Sequence, residues 1–452
     1  MALSPELIQK YNRPVPRYTS YPTVPFWENN LDSKSWENLV VEAYGDFGKE
    51  EGICLYIHLP FCESLCTYCG CTKRITKNHQ VENPYLEAVL REWRSYLTLF
   101  GEAPKISAIH LGGGTPTFFS PENLEYLISE ILKTAQPSNV REFSFEGHPN
   151  NTTRDHLQVL AKLGFDRVSY GIQDFDPAVQ KAIHRIQPFE KVKEATETAR
   201  ELGYQSVNFD LIYGLPNQTL DTLRDTFQKV GELRPDRIAF YSYAHLPSAF
   251  PAQKSFEAQL PGENEKRALY DFGKKMLIQM GYQEVGMDHF ALPDDPLCMA
   301  KESGKLHRNF MGYTTLTSKM LIGLGASSIS DIGIGFAQNE KNHLAYQENT
   351  LKDNFVQVKG HALHQEDREV RQLILDIICN GNAEIPFSIW EKLPVSSKNG
   401  LADFQKEGLI TLEGFHLSVS EDGMAVVRNI CSLFDLRMIE AKEAKKLFSQ
   451  AI

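Results

Sequence analysis

The segment Ile53–Cys71 reads ICLYIHLPFCESLCTYCGC and joins the two features that decide the fold of the chain. Its first seven residues, Ile53–Leu59, are mostly apolar, β-branched or aromatic, which favours a short buried strand. A loop with four cysteines follows the strand at once, at Cys62, Cys66, Cys69 and Cys71. The segment therefore predicts a strand that delivers a cysteine-rich loop to one edge of a sheet.

The same pattern of short apolar strand, polar or glycine-rich turn and amphipathic helix recurs at intervals of roughly thirty residues as far as residue 247. Alternating strands and helices indicate a parallel sheet. Six units are fewer than the eight of a complete barrel, so the predicted fold class is α/β, a partial (β/α)6 TIM-like barrel. The predicted strands are Ile53–Leu59, Ile106–Leu111, Glu142–Glu146, Arg167–Ile172, Ser206–Ile212 and Ile238–Tyr243.

The chain outside these units has a different character. Residues 1–51 form a predicted N-terminal arm, 52–250 the barrel core, 251–364 a region that completes the barrel, and 365–452 a small, mainly helical C-terminal domain. A hairpin is predicted around Leu409–Val419. Helices that end in a hairpin are typical of a winged helix, but a lid or packing domain fits the acidic chain better.

Charge and composition exclude several function classes. The chain has 47 Lys and Arg against 58 Asp and Glu, a formal net charge of −11, which argues against nonspecific nucleic-acid binding. The sequence contains no apolar stretch of the ~18 residues that a membrane span requires. The first residues, MALSPE, do not resemble a secretory signal, so a cytoplasmic protein without membrane insertion is expected.

The spacing of the cysteines points to a metal site. In a cytoplasmic chain a dense cysteine run favours metal or redox chemistry over disulfides. The C-x3-C-x2-C loop suits an iron–sulfur cluster, and three ligands to a [4Fe-4S] cube would leave one iron open. A zinc knuckle with Cys71 as the fourth ligand is the alternative, although only one residue separates Cys69 from Cys71.

A glycine run, Gly112-Gly113-Gly114-Thr115-Pro116, follows the second predicted strand. The carboxyl ends of parallel strands share one edge of the sheet, where such folds bind ligands. Exposed backbone N–H groups there could receive a carboxylate. Later strands bring polar groups to the same edge, namely Glu146, Gln173, Asp174, Asp210 and the segment Tyr243–His245.

These motifs together resemble the radical S-adenosylmethionine (SAM) superfamily and, within it, the oxygen-independent coproporphyrinogen III oxidases, also called dehydrogenases. The cysteine loop with an aromatic residue before its last cysteine, followed by the glycine run, carries the superfamily resemblance. The narrower resemblance rests on strings spread over nearly the whole chain: RYTSYP (Arg17–Pro22), Tyr56–Cys62, Cys69–Cys71, Gly112–Thr117, GIQDF (Gly171–Phe175), DLIYGLP (Asp210–Pro216), Tyr243–Pro247, GMDHF (Gly286–Phe290) and Leu306–Thr315.

The resemblance implies a [4Fe-4S] cluster held by Cys62, Cys66 and Cys69, with Cys71 as a neighbour that need not bind iron. It also implies two molecules of SAM. The residues implied around the first are Tyr56, Tyr68, Gly112 and Glu146. Those implied for the second or its surroundings are Gly113, Gly114, Gln173, Arg185, Asp210, Ala244 and Ile329, and Thr115 at the end of the glycine run is a further cofactor-binding candidate.

The implied activity is the anaerobic oxidative decarboxylation of two propionate side chains of coproporphyrinogen III to vinyl groups, giving protoporphyrinogen IX in haem biosynthesis. An unactivated carbon–hydrogen bond must break, which lies beyond side-chain acids and bases, so the cofactor must supply a 5′-deoxyadenosyl radical by reductive cleavage of SAM. Cys62, Cys66, Cys69, Tyr56 and Glu146 would form the catalytic set. A reduced flavodoxin- or ferredoxin-like protein would donate electrons, and a monomer is expected.

The tetra-anionic substrate requires local cations in this acidic chain. Candidates for propionate contacts lie in the matched strings outside the barrel core, and Asp288 is a candidate acceptor for pyrrole N–H protons. The cationic candidates are Arg17, His289, His307 and Arg308.

The sequence departs from the family pattern in three places. Gly147-His148-Pro149-Asn150 stands where better-known members have Val-Asp-Pro-Arg, Met311 stands where glutamine is expected, and Tyr68 stands where phenylalanine is common. Three alternatives stay open on sequence: a haem-binding chaperone, a radical SAM methyltransferase or haem-opening enzyme, and a structural zinc protein. The Cys-Gly-Cys ending and the RYTSYP string argue against the chaperone.

Overall fold

A computed structural model describes residues 4–29, 31–352, 355 and 357–441 of the chain. The chain divides into two compact units. The sheet unit comprises Asn29–Met280 and Ser318–Ala362, and the helical unit comprises Met1–Glu28, Gly281–Thr317 and Leu363–Ile452. The expectations about residues 1–3, at the start of the chain, and about 442–452, at the end of the predicted helical domain, lie outside the described residues.

The strands are, in chain order, β1 (Ile53–Leu59), β2 (Phe61–Cys62), β3 (Arg74–Ile75), β4 (Lys105–Gly113), β5 (Gln136–Gly147), β6 (Arg167–Gln173), β7 (Ser206–Tyr213), β8 (Arg237–Ser242), β9 (Gln283–Gly286), β10 (His289–Ala291), β11 (His307–Asn309), β12 (Gly312–Thr314), β13 (Leu321–Leu324), β14 (Ile329–Asp331), β15 (Gly335–Asn339), β16 (Gln357–Ala362), β17 (Asn382–Glu384), β18 (Ile410–Glu413) and β19 (His416–Val419).

The α-helices are α1 (Pro5–Tyr11), α2 (Ser33–Ala43), α3 (Lys49–Glu51), α4 (Glu82–Phe100), α5 (Pro121–Leu132), α6 (Arg154–Lys162), α7 (Pro177–Ala182), α8 (Phe189–Glu201), α9 (Leu220–Leu233), α10 (Glu263–Gln279), α11 (Pro296–Glu302), α12 (His343–Thr350), α13 (Gln365–Asn380), α14 (Phe387–Lys392), α15 (Val395–Lys406), α16 (Glu421–Met424), α17 (Val427–Ser432) and α18 (Leu436–Glu440). A π-helix, Tyr44–Gly48, joins α2 to α3, and 3-10 helices occur at Val24–Phe26, His79–Val81, Pro116–Phe118 and Pro251–Gln259.

The sheet unit contains the predicted parallel sheet. Strands β1, β4, β5, β6, β7 and β8 pair in that order, each parallel to the next. On the other side of β1 lies β13, also parallel, followed by the antiparallel strands β14, β15 and β16. The order within this unit is linear rather than cyclic. The prediction of an α/β fold with six parallel βα units is therefore confirmed.

All six predicted strands are present, and apart from the start of β5 their bounds lie within two residues of the prediction. Strand β1 has the predicted bounds, Ile53–Leu59, and all seven of its residues are buried. The largest difference is in β5, which begins at Gln136, six residues before the predicted start. The added residues are mostly polar and exposed, and Gln136 pairs with Lys105 at the start of β4. Backbone pairing with β4 therefore extends β5 beyond the apolar run from which the strand was predicted.

Helix ends in the sheet unit also follow the sequence. The Ser120 side chain accepts a hydrogen bond from the Asn123 amide, and Pro121 occupies the first turn of α5, which is the expected N-terminal signature. Helix α4 begins at Glu82 and ends at Phe100, and its C-cap is Gly101, whose φ is 69°. A left-handed glycine is a common helix end because it carries no Cβ.

A buried carboxyl group joins three elements of the sheet unit. Glu92 of α4 is 3% exposed. Its Oε2 accepts hydrogen bonds from the Tyr346 hydroxyl of α12 (2.6 Å) and the Gly325 amide (2.9 Å), and its Oε1 accepts one from the Asn339 amide nitrogen of β15 (2.6 Å). These bonds hold the turn between β13 and β14 against α4 and α12. Burial raises the pKa of Glu92 from its ordinary value of 4.5 to about 7.

The helical unit combines the N-terminal arm with the C-terminal helices. The Arg428 guanidinium donates to the Pro16 carbonyl oxygen (3.0 Å), the Asn429 side chain to the Tyr11 carbonyl oxygen (2.9 Å), and the Tyr18 hydroxyl to Asp435 (3.1 Å). The predicted hairpin is present as β18 and β19, which form a three-stranded sheet with β17. The order α13, β17, α14, α15, β18, β19 is that of a winged helix.

Within the described residues, none of the helices has both the length and the apolar character needed to span a membrane.

Replacing Glu92 by glutamine is expected to remove one component of the pH dependence of folding. A raised carboxyl pKa in the folded state means that the group stabilises the fold most below pH 4.5 and that this contribution is lost as the pH rises through about 7. As the pH rises across this range, the free energy of unfolding of the wild-type chain should therefore fall relative to that of Glu92→Gln. Urea unfolding of both proteins at several pH values measures this difference. If the two free energies of unfolding changed in parallel with pH, the raised pKa of Glu92 would be wrong.

Candidate active site

The carboxyl ends of the parallel strands bring the predicted polar residues to one edge of the sheet. The cysteine loop follows β1, the glycine run ends β4, and Glu146 lies one residue before the end of β5. Gln173 ends β6, Asp210 lies in the second half of β7, and Ala244 follows β8. Ile329 begins β14, on the other side of β1 and β13. The residues of the parallel strands thus share one rim.

The cysteine loop is anchored on both sides. The short strands β2 and β3 pair Cys62 with Ile75, and the Thr115 hydroxyl donates to the Cys62 sulfur at 3.4 Å. The Cys69 amide donates to the Cys66 carbonyl oxygen (3.2 Å), and the Thr67 amide donates to the Ile183 carbonyl oxygen (3.1 Å). The loop is therefore fixed by its own turn, by the glycine run and by the segment after α7.

Two cations stabilise negative charge on the loop. The Arg185 guanidinium donates to the Cys66 sulfur at 3.4 Å, and the Lys73 ammonium donates to the Cys69 carbonyl oxygen at 2.9 Å. A hydrogen bond from the Cys71 thiol, with Lys73 close by, lowers the pKa of Cys69 to about 5. Burial raises the pKa of Cys62 to about 11, although a hydrogen bond from Thr115 lowers it in part. Positive neighbours favour the thiolate form in which cysteine binds metal.

The cysteine loop supplies a compact set of thiol donors. The three thiols of Cys62, Cys66 and Cys69 lie on one short loop beside two cations, a donor set suited to a larger iron–sulfur group.

The glycine run is packed too closely for side chains. A Cβ on Gly114 would lie 2.7 Å from the Pro60 carbonyl, and one on Gly112 would lie 3.0 Å from the Tyr56 ring. Gly113 has a φ of 116° and donates its amide to Glu146 Oε2 at 3.2 Å. The close approach of β4 to the start of the cysteine loop thus depends on glycine at these positions.

Tyr56 belongs to a hydrogen-bonded pair that the sequence analysis did not single out. The Tyr56 hydroxyl lies 3.0 Å from His58 Nδ1, and His58 Nε2 lies 2.9 Å from the Thr72 carbonyl oxygen. Because a carbonyl only accepts, we assign the proton of His58 to Nε2, and the Tyr56 hydroxyl then donates to Nδ1. His110 stacks on the Tyr56 ring with centroids 6.0 Å apart. The two-residue spacing of Tyr56 and His58 in one strand is the signal that could have found the pair.

Glu146 and Asp210 are two carboxyl groups of the rim with different surroundings. The Glu146 side chain is 46% exposed, and its Oε1 lies 3.7 Å from His110 Nε2. Asp210 accepts hydrogen bonds from the Ser169 hydroxyl (3.2 Å) and from Asn208 Nδ2 (2.9 Å). Burial, followed by the nearby charge of Glu146, raises the pKa of Asp210 to about 6. Ser169 and Asn208 orient Asp210 and were also missed on sequence.

The remaining cofactor candidates occupy varied positions. Arg185 donates two hydrogen bonds to the Gly171 carbonyl oxygen, at 3.1 and 2.6 Å, which fixes its guanidinium beside Cys66. Gln173 has a φ of 68° and is 8% exposed.

Tyr68 packs against the apolar cluster that contains Tyr243 and Phe256. The Ala244 carbonyl oxygen accepts a hydrogen bond from the Gln253 side chain (3.3 Å). Ile329 pairs with Gln338 in the antiparallel part of the sheet.

His148, one of the departures from the family pattern, lies near Arg185. Burial and then the positive charge of Arg185 lower the pKa of His148 to about 3. Its Nδ1 accepts a hydrogen bond from the Asn150 amide at 3.2 Å. His148 is thus a neutral hydrogen-bond acceptor near neutral pH, whereas the aspartate of the family pattern carries a negative charge.

The substrate candidates all belong to the helical unit. The Arg17 guanidinium pairs with Asp288 at 2.9 Å. Arg308 is 6% exposed and donates to the carbonyl oxygens of Arg17 (3.0 Å) and Tyr18 (2.8 Å), so it holds the RYTSYP string in place. His289 meets the Tyr313 ring edge-on at 5.2 Å. His307 pairs with Thr314 in the β11–β12 hairpin, whose turn contains Met311.

Comparison with known proteins places these features in a family. Residues 56–230 match the family model of the radical SAM superfamily. The chain is 37% identical to the oxygen-independent coproporphyrinogen III oxidase of Escherichia coli, over 99% of this chain and 98% of that protein. It is 35% identical to the enzyme of the same name from Synechocystis sp., with the same coverage. The solved structure of the E. coli coproporphyrinogen III oxidase, a radical SAM enzyme, superposes with a TM-score of 0.88 and covers 96% of this chain and 99% of that chain.

Replacing Gly114 by alanine is expected to destabilise the protein by ~1–3 kcal/mol, because the new methyl group meets the Pro60 and Phe61 backbone, which cannot move like a side chain. Gly45→Ala is the matched control, since a Cβ there has nothing within 4 Å and Gly45 does not have a positive φ. Urea unfolding of both variants measures the difference. Equal stability of the two variants would show that the glycine run tolerates side chains.

Proposed function

The chain belongs to the oxygen-independent coproporphyrinogen III oxidases of the radical SAM superfamily, and from this we propose that it converts two propionate side chains of coproporphyrinogen III to vinyl groups without oxygen. It is an oxidoreductase with the partial-barrel fold of that superfamily. The observation that carries the proposal is the full-length match combined with a three-thiol loop packed directly on the glycine run. The product would be protoporphyrinogen IX, in haem biosynthesis.

Cys62, Cys66 and Cys69 would hold a [4Fe-4S] cluster in this proposal, with SAM bound at its open iron. When bound, this pair of groups supplies the hydrogen-atom abstraction that an unactivated carbon requires. Arg185 supports the proposal because it directs a positive charge at the Cys66 sulfur. Cys71 is proposed as a neighbour of the cluster rather than a ligand.

The rim residues would bind and orient the first cofactor molecule. Tyr56 is held by His58 through the hydroxyl, so its ring keeps one orientation beside the glycine run. Glu146 is half exposed and already accepts the Gly113 amide, so one oxygen remains directed at His110 and the rim. A carboxylate in that position suits an ammonium group. Tyr68 and Gly112 complete the proposed contacts.

A second SAM molecule is the finer part of the proposal. Gly113, Gly114, Thr115, Gln173, Arg185, Asp210, Ala244 and Ile329 are its proposed surroundings. Asp210 is the strongest member because Ser169 and Asn208 fix both of its oxygens. A carboxyl group oriented in this way suits the hydroxyls of a ribose. Ile329 is the weakest, since its strand pairs on the other side of β13.

The substrate contacts proposed for the helical unit follow from its ion pairs. Arg17 pairs with Asp288, and a propionate could replace that carboxylate while Asp288 accepts pyrrole N–H groups. Arg308 anchors backbone carbonyls of the arm, so it would position Arg17 rather than bind a propionate itself. His289 and His307 remain proposed substrate contacts.

A reduced flavodoxin- or ferredoxin-like protein would supply electrons, the chain would act as a monomer, and it would work in the cytoplasm. All eight cysteines are free thiols, in keeping with a reducing compartment that leaves thiolates available for metal.

Anaerobically reconstituted protein, given SAM, an electron donor and coproporphyrinogen III, is expected to release carbon dioxide and form protoporphyrinogen IX. Product chromatography and trapped carbon dioxide measure the reaction. Protein whose cluster is intact and reducible but which forms no product would overturn the proposal. A haem-binding titration on the same sample would then test the haem chaperone.

Cys62→Ala, Cys66→Ala and Cys69→Ala are each expected to abolish the cluster, because a missing thiolate leaves too few ligands. Cys71→Ala is the matched control and should retain most of its iron. Iron content and the visible absorption of the reconstituted variants decide between them. Complete loss of iron in Cys71→Ala would show that the three-ligand assignment is wrong.

A further inference from the structure

Exposed cations border the cysteine loop on both sides. Arg74 and Lys77 follow the loop in sequence, and Lys181 precedes Arg185. We call these three residues, all exposed, the basic rim. They stand out in a chain whose formal net charge is −11.

Backbone contacts establish that the two halves of the basic rim border the loop. On one side β3 pairs with β2, so that Arg74 lies opposite Phe61 and Ile75 opposite Cys62. On the other side Thr67, between Cys66 and Cys69, donates its amide to the Ile183 carbonyl (3.1 Å) and its hydroxyl to the Ala182 carbonyl (3.3 Å). The cysteine loop therefore lies between Arg74 and Lys181.

The charges of the basic rim are not neutralised. In the described part of the chain, Arg74, Lys77 and Lys181 form no ion pair. Elsewhere exposed cations commonly do, as Lys133 does with Glu130 and Lys193 with Glu232. Two acids lie near this side of the loop: Glu63 faces His79 Nε2 at 4.0 Å, and the buried Glu82 lies 2.6 Å from His79 Nδ1. Positive charge without an ion-pair partner among the described residues thus borders the loop on both sides.

Apolar side chains are exposed between these charges. Leu65 at the centre of the loop is 43% exposed, Ile75 is 36% exposed, and Ile186 is 65% exposed. Cys62 and Cys69 are themselves only half-buried. A few apolar contacts within a ring of charge are the composition of small protein interfaces.

We propose that this surface docks an acidic protein that carries single electrons and delivers them to the group held by the cysteine loop. The inference rests on the proposed function, which requires a reductant, and deepens it by locating the docking site. Charge complementarity selects the partner, because the net charge of the chain repels an acidic protein while the basic rim attracts it. The contact is small and short-lived, as is usual for electron transfer.

The test compares two matched double charge reversals of the reconstituted chain. Arg74→Glu/Lys181→Glu changes one residue on each side of the loop. Lys133→Glu/Lys162→Glu makes the same total change in charge at exposed residues at the C-terminal ends of α5 and α6, which lie toward the opposite edge of the sheet. The probe is a flavodoxin of acidic sequence, and its Kd is measured at low and at physiological ionic strength.

We expect Arg74→Glu/Lys181→Glu to weaken flavodoxin binding about tenfold or more and to flatten its salt dependence, with the control double variant close to wild type. SAM cleavage driven by reduced flavodoxin should fall in parallel, whereas cleavage driven by dithionite should stay unchanged because dithionite needs no docking surface. An unchanged Kd, or an equal loss in the control variant, would overturn the proposal.

Failure of the docking proposal is distinguishable from failure of the proposed function. A wild-type protein that does not cleave SAM with dithionite counts against the function, while the binding comparison still decides the docking site. If the charge-reversed variant loses its iron, Arg74→Gln/Lys181→Gln replaces it. That variant must also bind flavodoxin more weakly than its control, Lys133→Gln/Lys162→Gln, or the proposal is wrong.

Discussion

The parallel pairing of β1 with β4 is the constraint on which the site depends. It sets His58 opposite Gly112 and Leu59 opposite Gly113, so that the end of one strand and the start of the cysteine loop pack against a backbone without side chains. Tyr56, the loop and Glu146 then acquire their positions from the same pairing, through bonds to His58, Thr115 and Gly113. A shift of one residue between these strands would disrupt all three at once.

Much of this arrangement could be predicted because it is local. Strand β1 and the loop after it are contiguous, and apolar runs mark the strands that bury them. The contacts that tune the loop are not local: Arg185 reaches Cys66 from 119 residues away. No periodicity in the sequence brings those residues together. The burial of Glu92 is also a non-local effect. A charged residue in an amphipathic helix is normally predicted to lie on the surface, but the turn at Gly325 covers Glu92.

Polar residues of the strands show the same contrast between features that the sequence predicts and contacts that only the fold reveals. Asp210 could be selected from its place at the end of a strand, but Ser169 and Asn208, which orient it, lie deeper along β6 and β7 and look like ordinary strand residues. Arg308 shows what a matched string leaves open. Its place in such a string predicts a substrate contact, and the structure adds that its guanidinium donates to the backbone carbonyl oxygens of Arg17 and Tyr18. Whether a cation is available to a ligand depends on partners that only the fold supplies.

The division of the chain into units has a consequence for its synthesis. The chain passes between the sheet unit and the helical unit four times, at residues 28, 280, 317 and 362. The carbonyl of Pro16 meets its partner Arg428 only after 412 further residues have been made. At ribosomal rates this interval is roughly 20 to 80 seconds. Throughout that time the arm, including the buried Tyr18 and Tyr21, has no native packing partner from the C-terminal helices, so a nascent chain exposes an aromatic segment that cellular chaperones could bind.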